Sequence, residues 1–222
     1  MLSSIRPLEV AAWIPYLALA AIHVLALAAD SPIAAPTKLL LMPLLAIPVL
    51  LAAPRLRSRT AIALLLGAVV FSWLGDGAGA FFPSAPELPL MLLFFGIAHL
   101  AYIALFLRFA HIRRVPWWTL VYAAWWIGML ATLGPHTGAL FPAVAAYGIV
   151  LAGTAATSAR CHPIVAVGGA FFLTSDSLLA FRLFLPDAMP DWTSPAVMAT
   201  YAIGQGLIVW GVIRAVAKRR SE

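Results

Sequence analysis

Long apolar segments, separated by short connections rich in turn-forming or charged residues, fill almost the whole chain. Eight of them run for roughly 16 to 24 residues, near the length that a helix needs to cross the hydrocarbon core of a bilayer. Proline, glycine and aspartate mark the connections, as in "DSPIAAPT" and "LPDAMPDW". The pattern predicts an all-α integral membrane protein in which one domain, residues 1–222, contains eight transmembrane helices. The predicted spans are Val10–Ala29, Thr37–Ala53, Ala61–Phe82, Leu88–Phe109, Trp117–Leu133, Ala139–Thr157, Ile164–Leu185 and Ser194–Ala217.

Composition and charge agree with this pattern. The 222 residues are 64% hydrophobic and 10% charged, with a mean hydropathy of +0.99, too few charges to cover a water-soluble surface. Of the 14 basic residues, all except Lys38 and Arg182 fall on one side of the membrane in the predicted topology. The positive-inside rule then predicts both termini in the cytoplasm of a multi-pass cell-membrane protein. The net charge of +6 is therefore a topology signal and does not predict a nucleic-acid partner.

The first span ends in "ALAAD", which resembles a signal-peptidase site. Its apolar run of about 20 residues exceeds the 7–15 of a signal-peptide core, so we expect a membrane helix here. The single cysteine, Cys161, excludes a disulfide within the chain.

Two segments one hundred residues apart share the pattern F-x4-D-x3-A-F: "FSWLGDGAGAF" at 71–81 and "FFLTSDSLLAF" at 171–181. The match predicts two four-helix halves, 1–115 and 116–222, related by a parallel repeat. It places Asp76 and Asp176 at similar depth on two helices of one bundle. An ionised carboxylate near mid-bilayer costs about 2.5–3.5 kcal/mol, and such residues commonly mark a functional site. The alternative is a structural ion pair that holds helices together.

Other polar side chains are candidates for the same cavity. Lys38 begins the second span from outside and Arg182 lies near the outer end of the seventh, so each is predicted either to bind an anionic group or to pair with an aspartate. His99 and Tyr102 stand three residues apart on one helical face, and Ser175 lies beside Asp176. For His99 and Tyr102 the alternative is ordinary hydrogen bonding between helices.

Familiar catalytic and metal-binding spacings are missing from the sequence. It contains no HxxxH, HExxH or CxxC spacing, and no GxSxG, P-loop or GxGxxG motif. We therefore expect neither a metal nor an organic cofactor.

Four stretches follow one another along the second, third, fourth and seventh predicted spans: "TKLLLMPLLA", "GAVVFSWLGDGAGAF", "FGIAHLAYIALF" and "GGAFFLTSDSLLAFRLF". Together they resemble the YhhN-like family, which includes the lysoplasmalogenases. The family's usual Lys-Pro in the second span is Lys38-Leu39 here, with the proline displaced to Pro43. The resemblance implies an eight-helix membrane hydrolase that cleaves the vinyl ether bond of lysoplasmalogens, with Asp76 and Asp176 as catalytic candidates.

Two carboxylates suit this chemistry, because vinyl ether hydrolysis needs one acid to protonate carbon and one carboxylate to stabilise positive charge and activate water. The expected partners are a lysophospholipid substrate and membrane lipids, while the oligomeric state stays open. A small transporter or proton-coupled carrier is the alternative function, since repeats and intramembrane aspartates also occur there. A structural or assembly protein is a third interpretation, in which both aspartates would tolerate Asn.

Overall fold

The computed structural model describes residues 10–56 and 58–218. Arg6, Arg57, Arg219 and Arg220, four of the residues behind the predicted topology, lie outside this part of the chain. The described residues form helices and turns without strands. The eight longest helices are α1 (Ile14–Ala28), α2 (Ala34–Ala52), α3 (Arg59–Asp76), α4 (Glu87–Leu105), α5 (Val121–Leu133), α6 (Phe141–Ser158), α7 (Pro163–Phe184) and α8 (Thr193–Lys218).

These helices coincide with the eight predicted segments. Six of the helical segments in the described residues are long and apolar enough to cross a membrane: α2, α3, α4, α6, α7 and α8, some with short flanking turns. The chain is therefore a multi-pass membrane protein. Helices α1 and α5 have 15 and 13 residues, so the count of eight crossings stays a prediction, as does the repeat.

The third predicted span is interrupted beside its aspartate. Helix α3 ends at Asp76, Gly77 follows in a non-helical conformation, and a single helical turn, Ala78–Phe81, continues the segment. The neighbouring Gly75 admits a second helix, because a Cβ there would lie 2.6 Å from the ring of Phe95 on α4. Close approach of α3 and α4 thus depends on this glycine. Asp176, by contrast, lies inside the continuous helix α7.

A proline in α2 creates a link to α3. Pro43 has no backbone N–H, so it cannot donate to the carbonyl of Leu39 one turn earlier. The indole Nε1 of Trp73 donates to that carbonyl instead, at 2.8 Å. This bond joins the two helices next to Lys38, which also belongs to α2, and helps to set the position of Lys38 relative to Asp76.

The tightest helix pair is α7 with α8. A Cβ on Gly168 would lie 2.9 Å from the carbonyl oxygen of Gly204, and one on Gly204 would lie 2.8 Å from the backbone nitrogen of Phe172. The two backbones therefore touch at a glycine crossing, as small residues allow in membrane bundles. The crossing brings Phe172 of α7 beside Tyr201 of α8, with ring centroids 5.4 Å apart.

Candidate active site

Asp76 is a buried carboxylate with two polar neighbours from other helices. The hydroxyl of Tyr201 on α8 donates a hydrogen bond of 2.8 Å to its Oδ2. The ammonium of Lys38 on α2 lies 3.8 Å from Oδ1, and its side chain is 36% exposed whereas that of Asp76 is 4% exposed. Asp76 lies at the C-terminal end of α3, where the helix dipole disfavours negative charge. Lys38 offsets that disadvantage by supplying positive charge.

Asp176 has a comparable arrangement with different partners. The hydroxyl of Tyr147 on α6 donates a short hydrogen bond to its Oδ2. His99 Nε2 on α4 lies 3.5 Å from the same oxygen and 3.2 Å from the Tyr147 hydroxyl. His99 is fully buried and its Nδ1 lies 3.0 Å from Oγ1 of Thr154. Each aspartate thus meets one tyrosine and one basic side chain.

The hydrogen bonds around His99 fix its tautomer. Thr154 Oγ1 donates to the carbonyl of Val150 at 3.0 Å, so it accepts from His99 Nδ1–H. Tyr147 gives its only hydrogen to Asp176, so it has none for His99 Nε2. His99 Nε2 and Asp176 Oδ2 can therefore form a hydrogen bond only if one of the two atoms carries a further proton. His99 Nε2 and Asp176 Oδ2 are therefore neighbours between which a proton could be exchanged.

The two aspartate clusters lie side by side across Phe172. The Phe172 ring lies 4.7 Å, centroid to centroid, from His99 and 5.4 Å from Tyr201. His99 approaches Asp176, and Tyr201 donates to Asp76. Both clusters therefore belong to one site within the helix bundle.

A chain of polar side chains supports the Asp76 cluster. Gln205 Nε2 donates to Ser72 Oγ at 2.9 Å and lies 3.4 Å from the hydroxyl of Tyr201. Its Oε1 accepts from the hydroxyl of Tyr102 at 2.5 Å. Ser72, Tyr102 and Gln205 are fully buried, so their polar groups satisfy one another inside the protein. The network fixes the orientation of Tyr201 toward Asp76.

The candidate residues named from the sequence divide into two sets. Lys38, His99 and Tyr102 join the two aspartates in the site. Ser175 does not contribute its hydrogen, because its hydroxyl donates to the carbonyl of Val197 at 3.1 Å. Arg182 also points elsewhere and donates to Thr193 Oγ1 at 2.6 Å and to the carbonyl of Pro190 at 3.4 Å. The hydroxyl of Ser175 and the guanidinium of Arg182 thus bond to groups other than the aspartates, and their role in substrate binding stays a prediction.

Two residues that contact the aspartates, Tyr147 and Tyr201, were not among the candidates named from the sequence. A signal for Tyr201 was present, because it precedes Gln205 by four residues and shares its helix face. Tyr147 is a single polar aromatic residue in an apolar helix, and its sequence context distinguishes it little from an interfacial tyrosine. Within the described residues, no three His, Cys, Asp or Glu side chains group as metal ligands would.

Comparison with known proteins gives one family. The model of the YhhN family matches residues 33–212, a range that contains both aspartates and all the side chains that contact them. No curated protein and no solved structure matches the chain.

Proposed function

The chain belongs to the YhhN family, and on that premise we propose that it is a membrane hydrolase that cleaves the vinyl ether bond of lysoplasmalogens. Its products are a fatty aldehyde and a glycerophospho-alcohol. The resemblance described above supplies the substrate class. The side chains around the two aspartates support the reaction type.

One observation carries the proposal: two buried carboxylates share one site in an apolar bundle, and each accepts a hydrogen bond from a tyrosine. Their second partners differ: the ammonium of Lys38 lies near Asp76, and the imidazole of His99 lies near Asp176. Such unequal surroundings divide a carboxylate pair into an acid and a base. A purely structural ion pair needs only one carboxylate and one cation.

We assign the acid role to Asp176. In this assignment Asp176, whose Oδ2 lies 3.5 Å from His99 Nε2, enters the reaction as the acid and donates a proton to the β-carbon of the vinyl ether. The π electrons form the new C–H bond and leave an oxocarbenium ion at the carbon bound to oxygen. We assign the carboxylate role to Asp76, whose Oδ1 lies 3.8 Å from the ammonium of Lys38, and in that role it stabilises this positive charge.

Water completes the hydrolysis. Asp76 removes a proton from the water molecule that adds to the oxocarbenium carbon, which gives a hemiacetal. The carboxylate of Asp176 then takes the hemiacetal hydroxyl proton while Asp76 returns its proton to the departing glycerol oxygen. The carbonyl forms, the C–O bond to glycerol breaks, and both aspartates regain their starting states. Substrate and one water therefore account for all atoms.

The side of the site near Lys38 suits the polar part of the substrate. Lys38 is the more exposed partner in its pair with Asp76, so its ammonium also serves a phosphate that approaches from the membrane interface. The alkenyl chain requires apolar contacts, which Phe95 and Phe172 offer beside Tyr201.

The test uses the purified full chain in a neutral detergent with lysoplasmenylethanolamine, with NADH-coupled aldehyde reduction to measure turnover. In D2O, the mechanism delivers one deuterium to the carbon next to the aldehyde, which mass spectrometry detects after reduction. Asp176→Asn and Asp76→Asn are each expected to lower kcat by about 10²–10⁴-fold, the usual contribution of general acid–base catalysis.

Two controls keep this result specific. An ester lysophospholipid lacks the vinyl ether and must release no aldehyde. Asp187→Asn removes a carboxylate from the turn between α7 and α8 and is expected to retain parent activity. Parental turnover in either active-site variant would remove that aspartate from the mechanism. An inactive wild-type protein that instead moves a solute into sealed vesicles would favour the transporter.

A further inference from the structure

A basic pocket lies at the other end of the bundle from the two aspartates. It has a volume of about 860 Å³ and lies where the segment 109–114, which follows α4, meets Arg160, the start of α7 and the end of α8. Tyr201 and Arg214 are thirteen residues apart on α8, which corresponds to about 20 Å along the helix at 1.5 Å per residue. The pocket is therefore separate from the aspartate site. Its polar lining consists of His111, Arg113, Arg114, Arg160, His162 and Arg214.

Two loops hold this basic lining in a fixed arrangement. The backbone nitrogens of Ile112 and Arg113 donate to the carbonyl of Arg160, at 2.9 and 3.2 Å. In return, Arg160 Nε donates to the carbonyl of Arg113 at 3.2 Å, and Arg113 Nε donates to the carbonyl of Ala159 at 3.0 Å. These bonds use Nε of both arginines. Their terminal guanidinium nitrogens therefore remain available to a ligand.

Further observations point to an anion. The pocket lining contains no acidic side chain, and no ion pair to a carboxylate is formed by its four arginines within the described residues. His111 Nδ1 is buried and has no hydrogen-bond partner among them. The 22-residue helix α7 begins at the pocket, so the positive end of its dipole faces the cavity. Four arginines converge on a pocket whose lining has no carboxylate, so an anion that enters it meets several guanidinium donors.

We propose that this pocket binds a phosphate group. Guanidinium groups recognise phosphate through paired hydrogen bonds, and the unpartnered Nδ1 of His111 offers one further polar contact. The same chemistry occurs in the headgroup of an anionic phospholipid and in a free phosphate. Ile112, Ile164 and Phe109 add apolar lining, which matches a headgroup that carries its glycerol and acyl chains. This site differs from the proposed catalytic one and does not depend on it.

Native mass spectrometry of the purified full chain tests the proposal. The probes are phosphatidylglycerol, phosphatidylcholine as the zwitterionic lipid, and inorganic phosphate as the soluble source. The variant Arg114→Gln/Arg214→Gln removes two guanidinium groups that form none of the loop-fixing bonds. We expect it to weaken phosphatidylglycerol binding at least tenfold. The control Arg59→Gln/Arg108→Gln makes the same charge change on two exposed arginines outside the pocket and should bind like the parent.

Each outcome decides a point. Selective loss of phosphatidylglycerol in the pocket variant supports a lipid phosphate site. Binding of inorganic phosphate that the pocket variant loses, and that competes with the lipid, supports a free phosphate as the ligand. Equal effects of the two double variants would show general surface attraction and overturn the proposal. The proposal is also overturned if the parent protein binds neither phosphatidylglycerol nor inorganic phosphate. The test does not measure turnover of lysoplasmalogen. If the proposed hydrolase activity is disproved, the proposal of a phosphate site is therefore unaffected.

Discussion

The hydroxyl of Tyr147 is the sharpest place to test the arrangement around Asp176. Tyr147→Phe removes one oxygen atom and keeps the ring, whose centroid lies 5.6 Å from that of His99. The lost oxygen donates to Asp176 Oδ2 and lies 3.2 Å from His99 Nε2. Both contacts disappear in the variant, so Asp176, the proposed acid, loses a group that orients it, and His99 loses a polar neighbour.

The size of the effect follows from the bond that is removed. A hydrogen bond to a charged group contributes about 1.5–3 kcal/mol. At about 1.4 kcal/mol per decade this corresponds to a fall of roughly 10- to 150-fold in kcat/KM if the bond is needed in the transition state. Aldehyde release from lysoplasmenylethanolamine measures that ratio. The expected loss is smaller than that for Asp176→Asn, because the acid itself remains in place.

A matched variant distinguishes this effect from a general loss of packing. Tyr122→Phe removes a hydroxyl from α5 that forms no hydrogen bond with the described residues, while its ring keeps the contact with Trp118. We expect parent activity and parent thermal stability for it. A kcat/KM for Tyr147→Phe within twofold of the parent would refute the orienting role of Tyr147. So would an equal loss in both variants.

Three further predictions concern packing and the buried thiol. Trp73→Phe leaves a helix α2 carbonyl without its donor and should destabilise the protein by about 1–3 kcal/mol in a detergent-denaturation assay; an unchanged midpoint would contradict the role of this bond. Gly75→Ala places a Cβ 2.6 Å from the Phe95 ring and should lower the free energy of unfolding by about 1–3 kcal/mol. In the control Gly67→Ala the new Cβ meets nothing within 4 Å, so the stability should be unchanged or slightly higher. Cys161 lies between membrane helices, and burial raises the pKa of its thiol to about 12 despite Arg160 and Arg113, which lower it. The thiol therefore stays protonated below that pH, and maleimide should label it only after unfolding; rapid labelling of the folded protein at pH 7 would show an accessible thiolate.

The sequence alone determined the features that depend on local composition. Apolar length and turn-forming residues located the eight longest helices of the described residues, six of them long and apolar enough to cross a membrane, because insertion requires long apolar runs. The rarity of carboxylates in such runs identified Asp76 and Asp176. His99 and Tyr102 were also recognisable, since their spacing of three residues places them on one helix face.

Only the tertiary structure decided which side chains meet. Rotation of each helix about its axis, and the glycine crossing of α7 and α8, direct Tyr201 to Asp76, and the packing of α6 directs Tyr147 to Asp176. Sequence places a residue on a helix face but does not give the partner of that face. Ser175 illustrates the limit, because its hydroxyl lies next to an aspartate in the chain and yet bonds to a carbonyl of the neighbouring helix. The basic residues were read from the sequence as a topology signal. Their convergence into a pocket became visible only when two loops and two helix ends were brought together.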